Sequence, residues 1–213
     1  MTEMNSAARA AIFSRIRAAN STADPAARAT DYQNLSRGYQ QAAGMDRTAI
    51  IRTFAERLRE YDASVYEATP AMVCEVIVRA LGVYGGQSVA AAKDFPSDWL
   101  SEDLSWKMEA GTGVEDLDKA ECAVAMCKVA IAHTGTIVLS GSRRLSLLPD
   151  RLLCVVRERQ IVETVPEAIT RLQPFAADAL TFISGPSATS DIEMTRIRGV
   201  HGPRILDVII VRD

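Results

Sequence analysis

Three stretches of this chain concentrate the residue types that do chemistry on small molecules. The first is His133-Thr134-Gly135-Thr136, an imidazole and two hydroxyls around a glycine. The second runs from Ser140 to Arg151 and carries Arg143, Arg144, Asp150 and Arg151. The third is Gly185-Pro186-Ser187-Ala188-Thr189-Ser190-Asp191-Ile192-Glu193, continued by Gly199-Val200-His201-Gly202-Pro203-Arg204. In it a glycine and a proline set a turn, and Ser187, Thr189 and Ser190 supply hydroxyls. Backbone N–H groups at the start of a following helix would then form a concavity for an anion. Asp191 and Glu193 would fall in the first turn of that helix, where negative charge suits the helix dipole, so capping competes with ligand binding as their role. Arg144, Arg151 and Arg204 have the fork that clamps a carboxylate or phosphate. Solvated surface is the plainer role for an arginine, and Arg143 is assigned to it. His133 and His201 stand in Gly-flanked turns, where imidazole serves as general base, metal ligand or turn brace. A metal centre needs three or more converging ligands. The spacing of His133, His201, Asp150 and Asp191 shows no such convergence, and no metal site is expected. There is no GxxxxGK[ST], no GxGxxG and no GxSxG elbow around Ser187.

The elements that must position these loops follow from periodicity. A helix is expected over about 6–19, with Ile12, Phe13 and Ile16 on one face. Residues 20–44 shift to Ala, Ser, Thr, Gln and Gly, with Tyr32, Leu35 and Tyr39 as the only anchors, and read as a linker or docked arm that packs on another surface or stays disordered. Asp46 caps a second helix over 47–61, built on Ile50, Ile51, Phe54, Leu58 and Tyr61. From there short apolar strands alternate with helices. Strands are expected at 64–68, 89–92, 123–132, 136–139, 152–156, 180–184 and 206–211, and helices after Thr69-Pro70 and after Val165. The strands at 123–132 and 136–139 suit a hairpin across His133–Thr136. Residues 96–118 read as irregular with one short helix. Near-continuous apolar strands between helices argue an α/β domain with a mostly parallel sheet. Ligand-bearing loops of such a sheet lie outside the carboxyl ends of its strands. On that rule Thr134, Ser187, Thr189, Asp191, His201 and Arg204 are expected to line one cleft.

Composition bounds the remainder. The 213 residues are 48% hydrophobic and 24% charged, which excludes disorder as the main state. A net charge of −3 gives no electrostatic reason for a nucleic-acid partner. No apolar run approaches the roughly 20 residues that span a bilayer, and the Arg-Ala alternation of the first helix has no apolar core for a secretory signal. The expected location is therefore cytoplasmic. Cys74, Cys122, Cys127 and Cys154 follow no CxxC spacing and three lie in apolar segments, so they read as buried free thiols rather than cluster or zinc ligands.

Four ordered motifs carry a resemblance: A-I-A-H-T-G-T-I-V-L-S at 130–140, R-R-L-S-L-L-P-D-R at 143–151, I-S-G-P-S-A-T-S-D-I-E at 183–193 and G-V-H-G-P-R at 199–204. Together they resemble the lactate-utilisation protein C family, whose domain is called the LUD domain. The resemblance implies a three-layer Rossmann-like α/β fold of the broad group that includes sugar-phosphate isomerases and CoA transferases. It would occupy 46–213, behind an N-terminal arm over 1–45. It also implies a role in oxidising L-lactate to pyruvate with two iron–sulfur partner subunits, this chain being the cluster-free, non-redox member with no cofactor of its own. A small-anion pocket or an assembly surface would be its contribution. His133, Ala188 and Ala123-Val124-Ala125 depart from the family's usual acid before T-G-T, base after G-P-S and G-V-T. A second class of function stays open beside it: a stand-alone enzyme or binding protein for a phosphorylated or carboxylated metabolite.

Overall fold

Asp46 accepts the Ala49 N–H at 2.8 Å and opens α3 (Arg47–Glu60), whose Ile50, Ile51, Phe54 and Leu58 are buried. This helix follows two others, α1 (Thr2–Asn20) and α2 (Pro25–Asn34). The computed structural model describes residues 2–20, 24–39, 42, 44–82, 88–141, 143–190, 196–198 and 202–212. By its internal contacts the chain divides into a unit of Met1–Tyr39 and a unit of Gln40–Asp213.

In the first unit α1 exposes Ile12, Phe13 and Ile16. The stretch expected as a linker contains α2, a correction with a plain cause. Asp24 accepts the Ala26 N–H at 3.0 Å and Pro25 takes the first helical position, a start signal that needs no apolar periodicity.

The second unit is built on a sheet of six strands, all parallel. They are β1 (Ser64–Ala68), β2 (Ser88–Ala91), β3 (Ser105–Met108), β4 (Cys122–Met126), β7 (Arg151–Arg157) and β12 (Ile205–Val211). Their spatial order is β1-β12-β7-β4-β2-β3. Residues alternate between its faces, and both faces of the inner strands are covered, which is why β2, β4, β7 and β12 are almost wholly buried while the edge strands β1 and β3 are partly exposed. Leu152, Cys154 and Val156 join α3 in one core, while Leu153 and Val155 join α4 (Val73–Gly82) in another. The helix expected after Thr69-Pro70 is preceded by a 3-10 turn at Pro70–Met72, and Thr69 makes no side-chain cap bond.

A second sheet lies over the α3 side of the first. It comprises β5 (Val129–Ile131), β6 (Thr136–Ser140), β8 (Ile161–Val162) and β9 (Leu180–Ile183), in the order β8-β5-β6-β9. α6 (Val165–Leu172) covers its other face through Ala168 and Leu172. The antiparallel β5–β6 pair is the hairpin read from the sequence. The single strand expected at 123–132 is two strands in two sheets. The backbone changes partner within one step: Cys127 N–H donates to Val155 O at 3.0 Å and Lys128 N–H to Val138 O at 2.9 Å. The stretch expected as irregular with one short helix holds a short helix, α5 (Val114–Asp118), and also the edge strand β3.

The helix expected after Gly185-Pro186-Ser187 is replaced by a β-ribbon, β10 (Ala188–Ser190) antiparallel to β11 (Arg196–Arg198). Ala-Thr-Ser against Arg-Ile-Arg places β-branched residues at paired positions, and Thr189 faces Ile197 in register. The helix start from which the anion concavity is argued falls between these two strands, outside the described residues. Asp191, Glu193 and His201 themselves lie outside the described residues.

Candidate functional site

The expected site residues separate into small groups with different neighbours. Gly135 has φ +58° in the β5–β6 turn, and a Cβ there would stand 2.8 Å from Arg57 Cβ. Gly185 has φ +84° after β9, and its Cβ would stand 2.6 Å from Tyr61 Cβ. Arg57 and Tyr61 lie one turn apart at the end of α3. Both motif glycines are thus seats for a helix, in a backbone conformation that L side chains rarely adopt. Thr134 Oγ1 and Thr136 Oγ1 are 2.6 Å apart, and Thr136 Oγ1 lies 2.7 Å from Ser184 Oγ, so the hydroxyls link the two turns. His133 Nε2 stands 3.4 Å from Glu163 Oε1. The other Glu163 oxygen accepts the Gly44 and Met45 N–H groups at 2.6 and 2.8 Å, which ties the segment before α3 to the second sheet.

Ser187 and Gly202 do meet. The Ser187 N–H donates to Pro203 O at 2.8 Å, and Gly185, Ser187 and Gly202 border a depression of about 250 Å³ with Arg143, Ser146 and Ser184. Asp150 and Arg204 brace one turn: Asp150 O accepts the Arg204 N–H at 2.7 Å, and their exposed side chains stand 3.7 Å apart. These residues precede β7 and β12. They therefore lie at the amino ends of the parallel strands, not at the carboxyl ends where the sequence argument put them. The chain enters the sheet through these turns, and direction along a strand fixes the edge. Thr189 is in β10.

The carboxyl edge carries a different cleft, of about 390 Å³. The chain runs from β2 outward to β3 and from β4 the other way to β7, so the connections diverge between β2 and β4. That is the topological switch point, where the diverging loops leave a crevice. Ala92, Lys93 and Asp94 follow β2, Glu109 follows β3, Lys128 follows β4, and Ser140 with Gly141 closes the end of β6. Arg144, Phe175 and Asp178 complete the wall. Of the expected residues that are described, only Arg144 is here. Its guanidinium donates to Thr112 O and Glu109 O at 3.3 Å each.

Charge alternates around the rim. Lys128 Nζ donates to Asp94 Oδ2 at 2.7 Å and stands 5.8 Å over the Phe175 ring. Ser140 Oγ donates to Asp178 Oδ2 at 2.6 Å. The Glu109 side chain is 9% exposed, and its Oε1 accepts no hydrogen bond, with Arg144 Nε 3.6 Å away. Lys93, Asp94, Glu109 and Lys128 went unread in the sequence. The available signal was a charged residue within two positions of the end of β2, β3 and β4.

The cysteines give no alternative centre. Burial pushes the Cys122 and Cys127 thiols up to about 12, and Cys154 is raised as well. Among the described residues no group of three or more His, Cys, Asp or Glu is placed to hold a metal. No helix of the described residues is long and apolar enough to cross a membrane.

Residues 38–211 match the family model of the LUD domain. The chain belongs to the LUD domain family. A relative called Lactate utilization protein C from Deinococcus radiodurans is 39% identical over 181 residues, covering 81% of this chain and 84% of that one. Another of that name from Bacillus subtilis is 35% identical over 130 residues, covering 54% of each. The crystal structure of a DUF162 family protein from Deinococcus radiodurans superposes with a TM-score of 0.69 at 35% identity, over 79% of this chain and 99% of that one. In this LUD domain the T-G-T and S-G-P motifs seat α3, and the charged cleft lies at the opposite edge of the central sheet from the G-P-R turn.

Proposed function

We propose that this chain acts in the oxidation of L-lactate to pyruvate as the cluster-free, non-redox member of a set whose other subunits carry iron–sulfur clusters. The observation that carries this reading is the 39% identity, over four-fifths of both chains, to a protein named for lactate utilization. The oxidation releases two electrons and two protons. The partner clusters take the electrons, while this chain supplies a binding or docking surface. The test is reconstitution. The full chain should co-purify with the iron–sulfur subunits, and lactate-dependent dye reduction should need it. Undiminished dye reduction without this chain overturns the reading.

A second reading has its own observation, the cleft at the switch point between β2 and β4. A pocket of this size and place suits a free-standing enzyme or binding protein for a phosphorylated or carboxylated metabolite, on a fold akin to the sugar-phosphate isomerases and CoA transferases. Turnover or tight binding of such a compound by the isolated chain would favour it over the first.

A further inference from the structure

The central and second sheets end in four edges, and three of them are guarded. β1 carries Glu67 in an ion pair with Arg212, β3 carries Lys107, and β8 is two residues long. Charge and shortness keep a sheet edge from pairing with another chain. β9 has no such guard: Leu180-Thr181-Phe182-Ile183 is uncharged, and Phe182 is 53% exposed. The ladder shows which backbone groups it leaves open. Gly141 N–H donates to Ala179 O at 3.0 Å, so in the β6–β9 register the bonded pairs are Leu139 with Thr181 and Ile137 with Ile183. Leu180 and Phe182 alternate with these and turn their N–H and C=O groups to the outer side, where no described strand meets them. Phe182 stands opposite Val138, on the face that α6 covers, and Leu180 packs in that same layer. The apolar layer therefore runs out to the edge and stops in solvent.

We propose that β9 is the seam between two copies of this chain, paired antiparallel about a two-fold axis through Thr181. In that register Leu180 of each copy stands opposite Phe182 of the other. The open groups of these residues then exchange four hydrogen bonds, and two four-stranded sheets become one of eight strands. The strand is its own complement. Antiparallel pairing with its copy sets no charge against its like, and twice sets an aromatic ring beside a leucine, a favourable cross-strand pair. A foreign strand selected by charge would find none on β9 to be selected by. The depression of about 250 Å³ beside Thr181 and Phe182 leaves the edge accessible, and the exposed Leu147 in its wall adds apolar surface for the second copy to cover. The pairing depends on neither reading of the function.

Sedimentation equilibrium on the full chain tests it. The wild type should dimerise with a dissociation constant below about 100 μM. Phe182→Lys puts a charge at an exposed position of the seam, and should weaken the dimer about tenfold or more while the circular dichroism stays native. Phe182→Pro removes the outward N–H, which the β6 ladder does not use, and should have the same effect. Thr181→Cys in a Cys74→Ser background sets two thiols opposite each other at the axis, and oxidation should link the dimer through them. The other three cysteines are buried and stay out of the reaction. A wild type that remains monomeric at about 100 μM overturns the proposal. So does a dimer that survives both Phe182 variants unweakened, or a Thr181→Cys chain that dimerises without cross-linking, since either result puts the contact elsewhere.

Discussion

Asp207 and Arg151 bury opposite charges side by side in neighbouring central strands. Asp207 is fully buried, Arg151 is 3% exposed, and Arg151 Nε donates to Asp207 Oδ2 at 2.6 Å. The remaining guanidinium hydrogens reach Ala80 O and Leu81 O at 2.7 and 3.2 Å, carbonyls at the end of α4. Removing one partner strands the other without water. Asp207→Ala should lower the unfolding free energy by about 3–5 kcal/mol, read from urea titration. The buried thiols make a second expectation. Their folded values lie above the ordinary 9.0, toward about 12, so the unfolded chain gives up those protons first. Stability from this source is whole below pH 9 and is lost as the pH climbs toward 12. Urea midpoints should fall across that window, and less steeply in Cys127→Ala. In the native protein at pH 8 a thiol reagent should find Cys74, which is partly buried, well before the other three.

At the scale of elements, the second sheet meets α3 through shared core side chains and through close contact at two glycines. Gly185→Ala brings a Cβ to 2.6 Å from Tyr61 and asks an L residue to hold φ +84°. It should cost about 3 kcal/mol, whereas Gly141→Ala, also at positive φ but with open space around it, should cost about 1. Thermal melts of the two variants separate crowding from backbone strain. α3, α6, β1, β7 and β12 were legible because each is either an amphipathic helix with a polar cap or a short apolar run between breakers. Asp46 and Thr164 show the caps directly. The division of 122–131 into β4 and β5 was not legible, since Cys-Lys is no turn signal and only the change of partner from Val155 to Val138 reveals it. The paired strands at 188–190 and 196–198 were not legible because Gly-Pro-Ser followed by acids also resembles a helix start. The cleft was hidden for a different reason. Glu109 and Lys128 become neighbours only once β2 is known to lie between β3 and β4, an order that no local pattern encodes.

For the whole molecule, the division into two units separates stability from whatever the arm contributes. Every core cluster is assembled from residues of the second unit, and Ile12, Phe13, Ile16, Tyr32, Leu35 and Tyr39 of the first are exposed. A chain beginning at Gln40 should lose the helical circular dichroism of α1 and α2 yet keep an unfolding free energy, read from urea titration, within about 0.5 kcal/mol of the full chain. A larger loss would show that the arm carries stability. The order of the central sheet has a consequence in time as well as in space. The last strand made, β12, lies between β7 and the first strand of the unit, β1. While the ribosome is still adding residues, β1 has no neighbour and β7 shows an open, apolar flank. The nascent sheet cannot close until residues 205–211 emerge, some 140 positions after β1. Such distant pairing makes for slow, late folding and a long exposure of sticky edges, and the unfinished chain is a natural client for chaperones.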